Sequence, residues 1–484
     1  MAFHRTAAVA LLCVACTESL PGKKLASGLA RGLIARDGAV AFLLDARKPA
    51  DGSAPDDLFA GDLWLDDHKV GSGVSTGEGA YAFSPRSANL AFLSAWRFRD
   101  GEGELWVASG ASAPRQIAGV ARAFAWSSRG ELGFVGRDAI GIGDRIVPLP
   151  GAQSIAWAPD GRRLAARASA AAGGKLWTVD AQSGAAREIA VATSDFAFAS
   201  DGAIAALGPP PPKGGDRPLL VDGVRVADAT AFSFSPDGRE IALLSTGKQP
   251  GESSGELYRV PRSGGAPQLI ASRVSEWRWT AGGDLVCLAR YDLRARAGTL
   301  TATAPRGSPK EIAHRVQGFT LFGRRVLYLM QVPLKGDFKI ELWAVDLAAA
   351  DSAPHRIDDG VYGWELSPDG ATVYYKARCA GGSRSCSLLR NAFPGGVPET
   401  LATNVAGFDL SQDGARILVE QPHRGAPRAV DLAVISASGP PQRELKPLVQ
   451  EADPGSRFAD AGGRKVAYAI IAAGKGGVFL ADVP

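Results

Sequence analysis

Histidine is scarce in this chain, five in 484 residues. His4, His68, His314, His355 and His423 stand far apart, with no His-x-x-x-His pair and no carboxylate–His set close in sequence. That spacing argues against the short ligand motifs of zinc hydrolases, and structural or surface roles are expected for these side chains. Beyond the N-terminus no apolar run approaches the roughly 20 residues that a bilayer-spanning helix needs. The formal charge is only +4, so there is no overall basic field of the kind that marks a nucleic-acid partner. No alternation of strand and helix patterns occurs, which removes the frame of an α/β-hydrolase.

Turn formers are abundant, with 59 Gly and 31 Pro. The five cysteines fall into three groups. Cys287 stands alone in the apolar run "LVCLAR" and reads as a buried, inert thiol. Cys379 and Cys386 flank "AGGSRS" at the ends of two expected neighbouring strands. A hairpin disulfide in an oxidising compartment fits them better than a metal site. Cys13 and Cys16 belong to the N-terminal stretch "MAFHRTAAVALLCVACTES". Arg5 supplies the charged start of an export signal, and Ala7 to Ala15 a short apolar run. The stretch resembles a bacterial lipoprotein signal, although Cys13-Val14-Ala15 lacks the usual Leu before the modified Cys. The resemblance implies a signal over 1–16, lipidation at Cys16, and a periplasmic protein held by its lipid, on the outer rather than the inner membrane.

The body of the chain repeats one pattern. "FSFSPDGREIALLS" at Phe232 shows it most clearly. Large apolar residues alternate with a small one, then Ser235-Pro236-Asp237-Gly238 turns the chain, then an apolar strand follows. Pro presets φ, Asp bonds the backbone ahead of it, and Gly takes positive φ at little cost. Copies begin at Leu33, Tyr81, Phe124, Ile155, Phe196, Trp277, Phe319, Trp364, Phe408 and Phe458, which makes eleven. Starts fall roughly 30–50 residues apart, the period of propeller blades. A third strand such as "GELYRVP" and a short fourth such as "QLIASRV" complete each unit. Four antiparallel strands per period make a blade that buries both faces only against its neighbours.

The pattern resembles the TolB-type (WD-repeat-like) propeller repeat family, most closely at Phe234–Gly238, Trp157–Gly161 and Leu366–Gly370. The resemblance covers almost all of the chain after Cys16 and implies an all-β propeller fold. It occurs in periplasmic scaffolds and in the propeller portions of peptidases, so it does not specify function. Eleven blades exceed the usual four to eight per ring, and two propellers, over 17–230 and 231–484, are expected. "KKLASGLA" at Lys23 reads as a fourth strand with no blade before it, and the chain ends on a third strand. The termini can therefore share one blade, which leaves open one large ring or a split, inserted pair.

Most residues with potential chemistry have a plainer explanation. "GESSG" matches a nucleophile motif at Ser253, but a strand rather than a helix follows it. Asp45, Asp51, Asp56 and Asp57 miss the calcium-loop spacing and read as a solvated loop. Asp160, Asp201, Asp237, Asp369 and Asp413 belong to the turns. Trp64, Trp106, Trp177 and Trp343 recur at one third-strand position, which points to packing. One change along the chain stands out. The residue between the large apolar pair of each first strand is Ala82, Ala125, Ala156, Ala197 and Ser233, then Arg278, Thr320, Glu365 and Asp409. First strands line a propeller axis, so Arg278, Glu365 and Asp409 are the candidate channel-binding residues. A non-enzymatic scaffold for an envelope protein or peptide is the expected role, with no cofactor. The alternatives are a metal-assisted hydrolase or lactonase in a channel, and a saccharide or other small ligand in the second channel.

Overall fold

The computed structural model describes residues 21–484, except 29, 50–53, 170–173, 194, 213–214, 247–254, 335–336, 350–352, 381–384, 427, 443 and 471–475. His4, Cys13, Cys16, Asp51 and Ser253 lie outside the described residues. Every regular element among the described residues is a strand. Forty-three strands form ten antiparallel sheets, nine of four strands and one of seven. The seven-stranded sheet is two blades joined through one long strand, Pro309–Phe322, whose register shifts between Val316 and Gly318. The fold is thus an all-β propeller of eleven blades. In chain order they occupy 30–75, 81–121, 123–148, 152–190, 196–229, 231–274, 276–316, 318–359, 364–405, 407–452, and 457–482 with 23–26.

The termini meet in the last blade. Lys23–Ala26 supplies its fourth strand and pairs with the chain's final strand, Lys23 opposite Leu480. The Tyr468 hydroxyl donates to the Pro21 carbonyl at 2.5 Å and fastens the incoming chain. The sheet is closed by residues from opposite ends of the sequence, which removes a free strand edge.

Second strands such as Glu240–Ser245 are buried in all but their end residues, because a neighbouring blade covers each face. First strands such as Ala231–Phe234 and Trp364–Leu366 are only half-buried, as expected for an inner wall. A hydrophobic cluster links each blade to the next, and another links the eleventh to the first through Val40, Phe42, Ala467 and Val478. The expected division at residue 230 is no break in the core. Leu207, Leu219 and Val221 before it share one cluster with Ile241, Leu243 and Val260 after it. The clusters run without a break from each blade to the next and from the eleventh to the first, and we propose on that ground that the eleven blades close as one ring, the alternative to two propellers.

The turn chemistry works as the residues dictate. Ser235 Oγ donates to Asp237 Oδ1 at 2.7 Å and accepts the Glu240 N–H at 2.9 Å. Asp237 also accepts the Arg239 N–H, and Gly238 takes φ 69°. Ser367–Asp369 and Ser411–Asp413 repeat the device. The glycine that opens many third strands has a separate reason. A Cβ on Gly255 would lie 2.4 Å from the Ser245 carbonyl oxygen, because the second strand's backbone crosses there. Antiparallel order puts the Ser-Pro-Asp-Gly turns on one face of the ring and the second-to-third-strand loops on the other.

The last repeat begins earlier than its sequence indicates. Phe458 pairs with Val466 as Leu410 pairs with Ile417, so Arg457, not a residue after Phe458, occupies the position of Asp409. The turn that follows is one residue longer, closing from Ala459 to Lys465 where the tenth blade closes from Ser411 to Arg416.

Candidate functional site

One position per first strand faces the following blade and the axis, and its chemistry divides the inner wall. In blades 2, 3 and 6 the next blade reaches over a small residue. Trp126 Nε1 donates to the Ala82 carbonyl and Trp157 Nε1 to the Ala125 carbonyl, each at 3.0 Å. Trp277 Nε1 donates to Ser233 Oγ at 3.0 Å, and Trp279 Nε1 to the same oxygen at 3.2 Å. A small side chain is required where an indole from the next blade must settle.

From the seventh blade onward the position is polar or charged: Arg278, Thr320, Glu365, Asp409 and Arg457. Arg278 is exposed and pairs with Glu276 of its own strand at 2.9 Å. The carboxylate of Glu365 takes the place of an indole contact and accepts the Leu410 N–H of the next blade at 3.2 Å. Asp409 accepts the Phe458 N–H in the same way. Burial pushes the Glu365 carboxyl up from its ordinary range, and the nearby Asp409 charge adds to the shift. Burial also raises Asp409, opposed by Arg457 and the Phe458 N–H. The structure therefore brings Glu365 and Asp409 within electrostatic reach of each other, while Arg278 is engaged separately.

Residues that sequence spacing did not single out extend the charged sector. Glu420, on the second strand of the tenth blade, is raised chiefly by burial although it accepts the Gly455 N–H at 2.9 Å. A Cβ on Gly407 would lie 2.6 Å from Glu420 Oε2, so the glycine leaves room for that carboxylate. Lys376 donates to the Ala406 carbonyl, and burial lowers its ammonium pKa against the pull of Glu420. Burial raises Asp453 as well. Arg457 had a visible signal, a charge beside the last repeat's Phe458, hidden by the longer turn.

A cleft of about 580 Å³ runs along this wall between the first strands of blades 8, 9 and 10. Thr320, Leu321, Phe322, Trp364, Glu365 and Leu410 are among its lining residues. Glu365 is the one ionisable side chain in that lining.

The other sequence candidates are placed elsewhere. Cys379 and Cys386 are joined in a disulfide at 1.97 Å on the loop face. Cys287 is buried and its thiol is pushed up to about 12 by burial. His68 is 2.9 Å from the Gly110 carbonyl, His314 lies 3.3 Å from Thr299 Oγ1, and His355 is exposed. His68 and His314 each lie near one carboxylate, Asp67 at 3.5 Å and Glu311 at 3.7 Å, and His423 meets two, Asp431 at 2.7 Å and Glu451 at 3.4 Å, beside the loop that opens the tenth blade's third strand. Among the described residues no group of three or more His, Cys, Asp or Glu is placed to hold a metal ion. Asp56 pairs with Lys48 at 2.8 Å, and Asp45 and Asp57 are exposed. The turn aspartates Asp160, Asp201, Asp237, Asp369 and Asp413 each accept a backbone N–H two residues on. Trp64, Trp106, Trp177 and Trp343 each pack against a core cluster.

No protein-family model matches the chain, and no curated protein matches it. Solved structures do. A eukaryotic initiation factor is 14% identical, with 79% of this chain and 90% of that one covered and a TM-score of 0.46. The putative TolB from Agrobacterium tumefaciens is 18% identical over 53% of this chain and 83% of its own, with a TM-score of 0.25. The tricorn protease is 14% identical over 93% of this chain and 46% of its own, with a TM-score of 0.30. At such identities the likeness concerns fold, and the site rests on the geometry of the inner wall.

Proposed function

We propose that the chain is an exported, non-enzymatic propeller platform that binds an envelope protein or peptide along the charged sector of its inner wall. The observation that carries this function is the retention of Glu365 and Asp409, half-buried in adjacent blades, where blades 2 to 5 keep alanine. Burying a carboxylate costs free energy unless it is paired. Burial-raised carboxylates on a channel wall are poor scaffold parts and good recognition groups.

The TolB-type repeat is in keeping with a periplasmic scaffold. Lipidation at Cys16 would tether the platform on a definite side. Lys23 is bound to Asp67, in a turn on the same face as the Ser-Pro-Asp-Gly turns, at 2.5 Å. The lipid would therefore hold that face toward the membrane and present the loop face outward. Cys16→Ser should release the protein from membranes.

The test of the platform is co-purification of the full chain from its own envelope. A protein or peptide retained stoichiometrically and lost on Glu365→Gln with Asp409→Asn supports it. Recovery of the chain alone, or a turnover activity that the same substitutions abolish, contradicts it.

A further inference from the structure

The cleft between blades 8, 9 and 10 is selective in charge as well as shape. Leu321, Phe322, Trp364 and Leu410 line it beside the polar Ser411 and Gln412, and its sole ionisable lining group is Glu365. Glu365 Oε2 holds the Leu410 N–H at 3.2 Å. That bond fixes the carboxylate without neutralising it. Among the described residues neither Glu365 nor Asp409 enters a salt bridge, although Arg457 acts on Asp409 through its charge. A second negative group, Asp409, stands in the next blade. Glu365, with no cation acting on it, thus offers negative charge at a largely apolar cleft that Trp364 also lines.

We propose that this cleft takes a lysine or arginine side chain of a peptide segment lying in the channel, its cationic head at Glu365. The proposal rests on the platform role above and names the chemistry of its partner. A long basic side chain matches each part of the site. Its methylene stem lies against Leu321, Phe322 and Leu410, in the way such stems cover apolar surface. Its head meets Glu365 in a charge-assisted hydrogen bond, and Trp364, which lines the same cleft, supplies an aromatic ring for a cation–π contact. The volume lies within the roughly 300–1,000 Å³ of small-molecule sites and admits one side chain with its flanking backbone. A neutral side chain would leave the carboxylate buried further and unpaired, and an acidic one would be repelled. The free energy that Glu365 costs the empty wall is recovered on binding a cation, which gives the site its discrimination.

The probes are two capped pentapeptides, Ala-Ala-Arg-Ala-Ala and Ala-Ala-Gln-Ala-Ala, titrated calorimetrically into the full chain. Wild type should bind the arginine peptide at least tenfold more tightly than the glutamine peptide. Glu365→Gln keeps an oxygen for the Leu410 N–H, so the fold is retained, and it should erase the difference. Trp364→Leu should weaken the arginine peptide more than the glutamine one. Equal binding of the two peptides by wild type, including none by either, overturns the proposal, as does a preference that survives Glu365→Gln. Envelope partners retained alike by wild type and Glu365→Gln, with no arginine preference, would refute the cleft and leave the platform standing. An arginine preference without any co-purifying partner would do the reverse.

Discussion

The inner walls of blades 2–6 and of blades 7–11 are built on the same short strand and differ at one residue in each copy. Ala82, Ala125, Ala156, Ala197 and Ser233 stand on one side, Arg278, Thr320, Glu365, Asp409 and Arg457 on the other. In blades 2, 3 and 6 the next blade's tryptophan reaches over the small residue and finds its hydrogen bond at a backbone carbonyl or at Ser233. On the second, in blades 9 and 10, a carboxylate accepts the next blade's backbone N–H. Both solutions join adjacent blades. Only the second leaves charge on the wall, so the difference between them separates what the scaffold requires from what a ligand requires.

The comparison presupposes one ring, and the largest expected effect tests that. Residues 21–230 and 231–484 produced separately should each fail to fold, because the cut strips Leu207 and Leu219 from Ile241 and Leu243. Circular dichroism and thermal melts decide the matter. Two halves that each unfold cooperatively would restore the division into two propellers. Next in size is a transplant of the charged solution into the small sector. Ala125→Glu puts a carboxylate where the Trp157 indole sits and should cost about 2–4 kcal/mol in denaturant titration. Ser235→Ala removes a turn device common to both sectors and should cost about 1 kcal/mol in the same assay.

The smallest effect carries the sign that distinguishes the sectors. Glu365 and Asp409 have carboxyls raised in the folded chain, so the folded state holds protons that the unfolded state has released. Their contribution to stability is full below the unfolded range near pH 4 and is lost as pH rises through the folded value. Glu365→Gln with Asp409→Asn should therefore raise the melting temperature slightly at neutral pH and flatten its decline above pH 4. The turn carboxylates Asp237, Asp369 and Asp413 are lowered, by the Ser235 and Ser367 hydroxyls for the first two and by the Ala415 N–H for the third. Their contribution runs the opposite way, present above the unfolded range and lost as pH falls through the folded value.

The blade was legible because its devices are local. Ser235 to Glu240 contains a whole turn, and the apolar second strand announces a layer covered on both faces. The closing strand at Lys23 could be suspected for the same reason, as a fragment lacking its unit. Ring size was hidden, because a repeat fixes how one blade meets the next and says nothing of how many turns close the circle. Glu365 and Asp409 stood out by position alone, whereas Arg457 was masked by one extra residue in the following turn. Glu420, Lys376 and Asp453 lie on second strands or a link, where nothing in the pattern marks a residue as reaching the inner wall. Their grouping depends on three blades converging at the axis.

The most direct test sets the two walls against each other in one experiment. Full-length wild type, Glu365→Gln with Asp409→Asn, and Ser233→Ala, which removes the hydroxyl that receives Trp277, would be recovered from the native envelope and their bound partners quantified by mass spectrometry. The carboxylate variant should lose the partner while Ser233→Ala keeps it. Equal retention by both variants, or loss with Ser233→Ala alone, would contradict the claim that the charged sector is the binding wall.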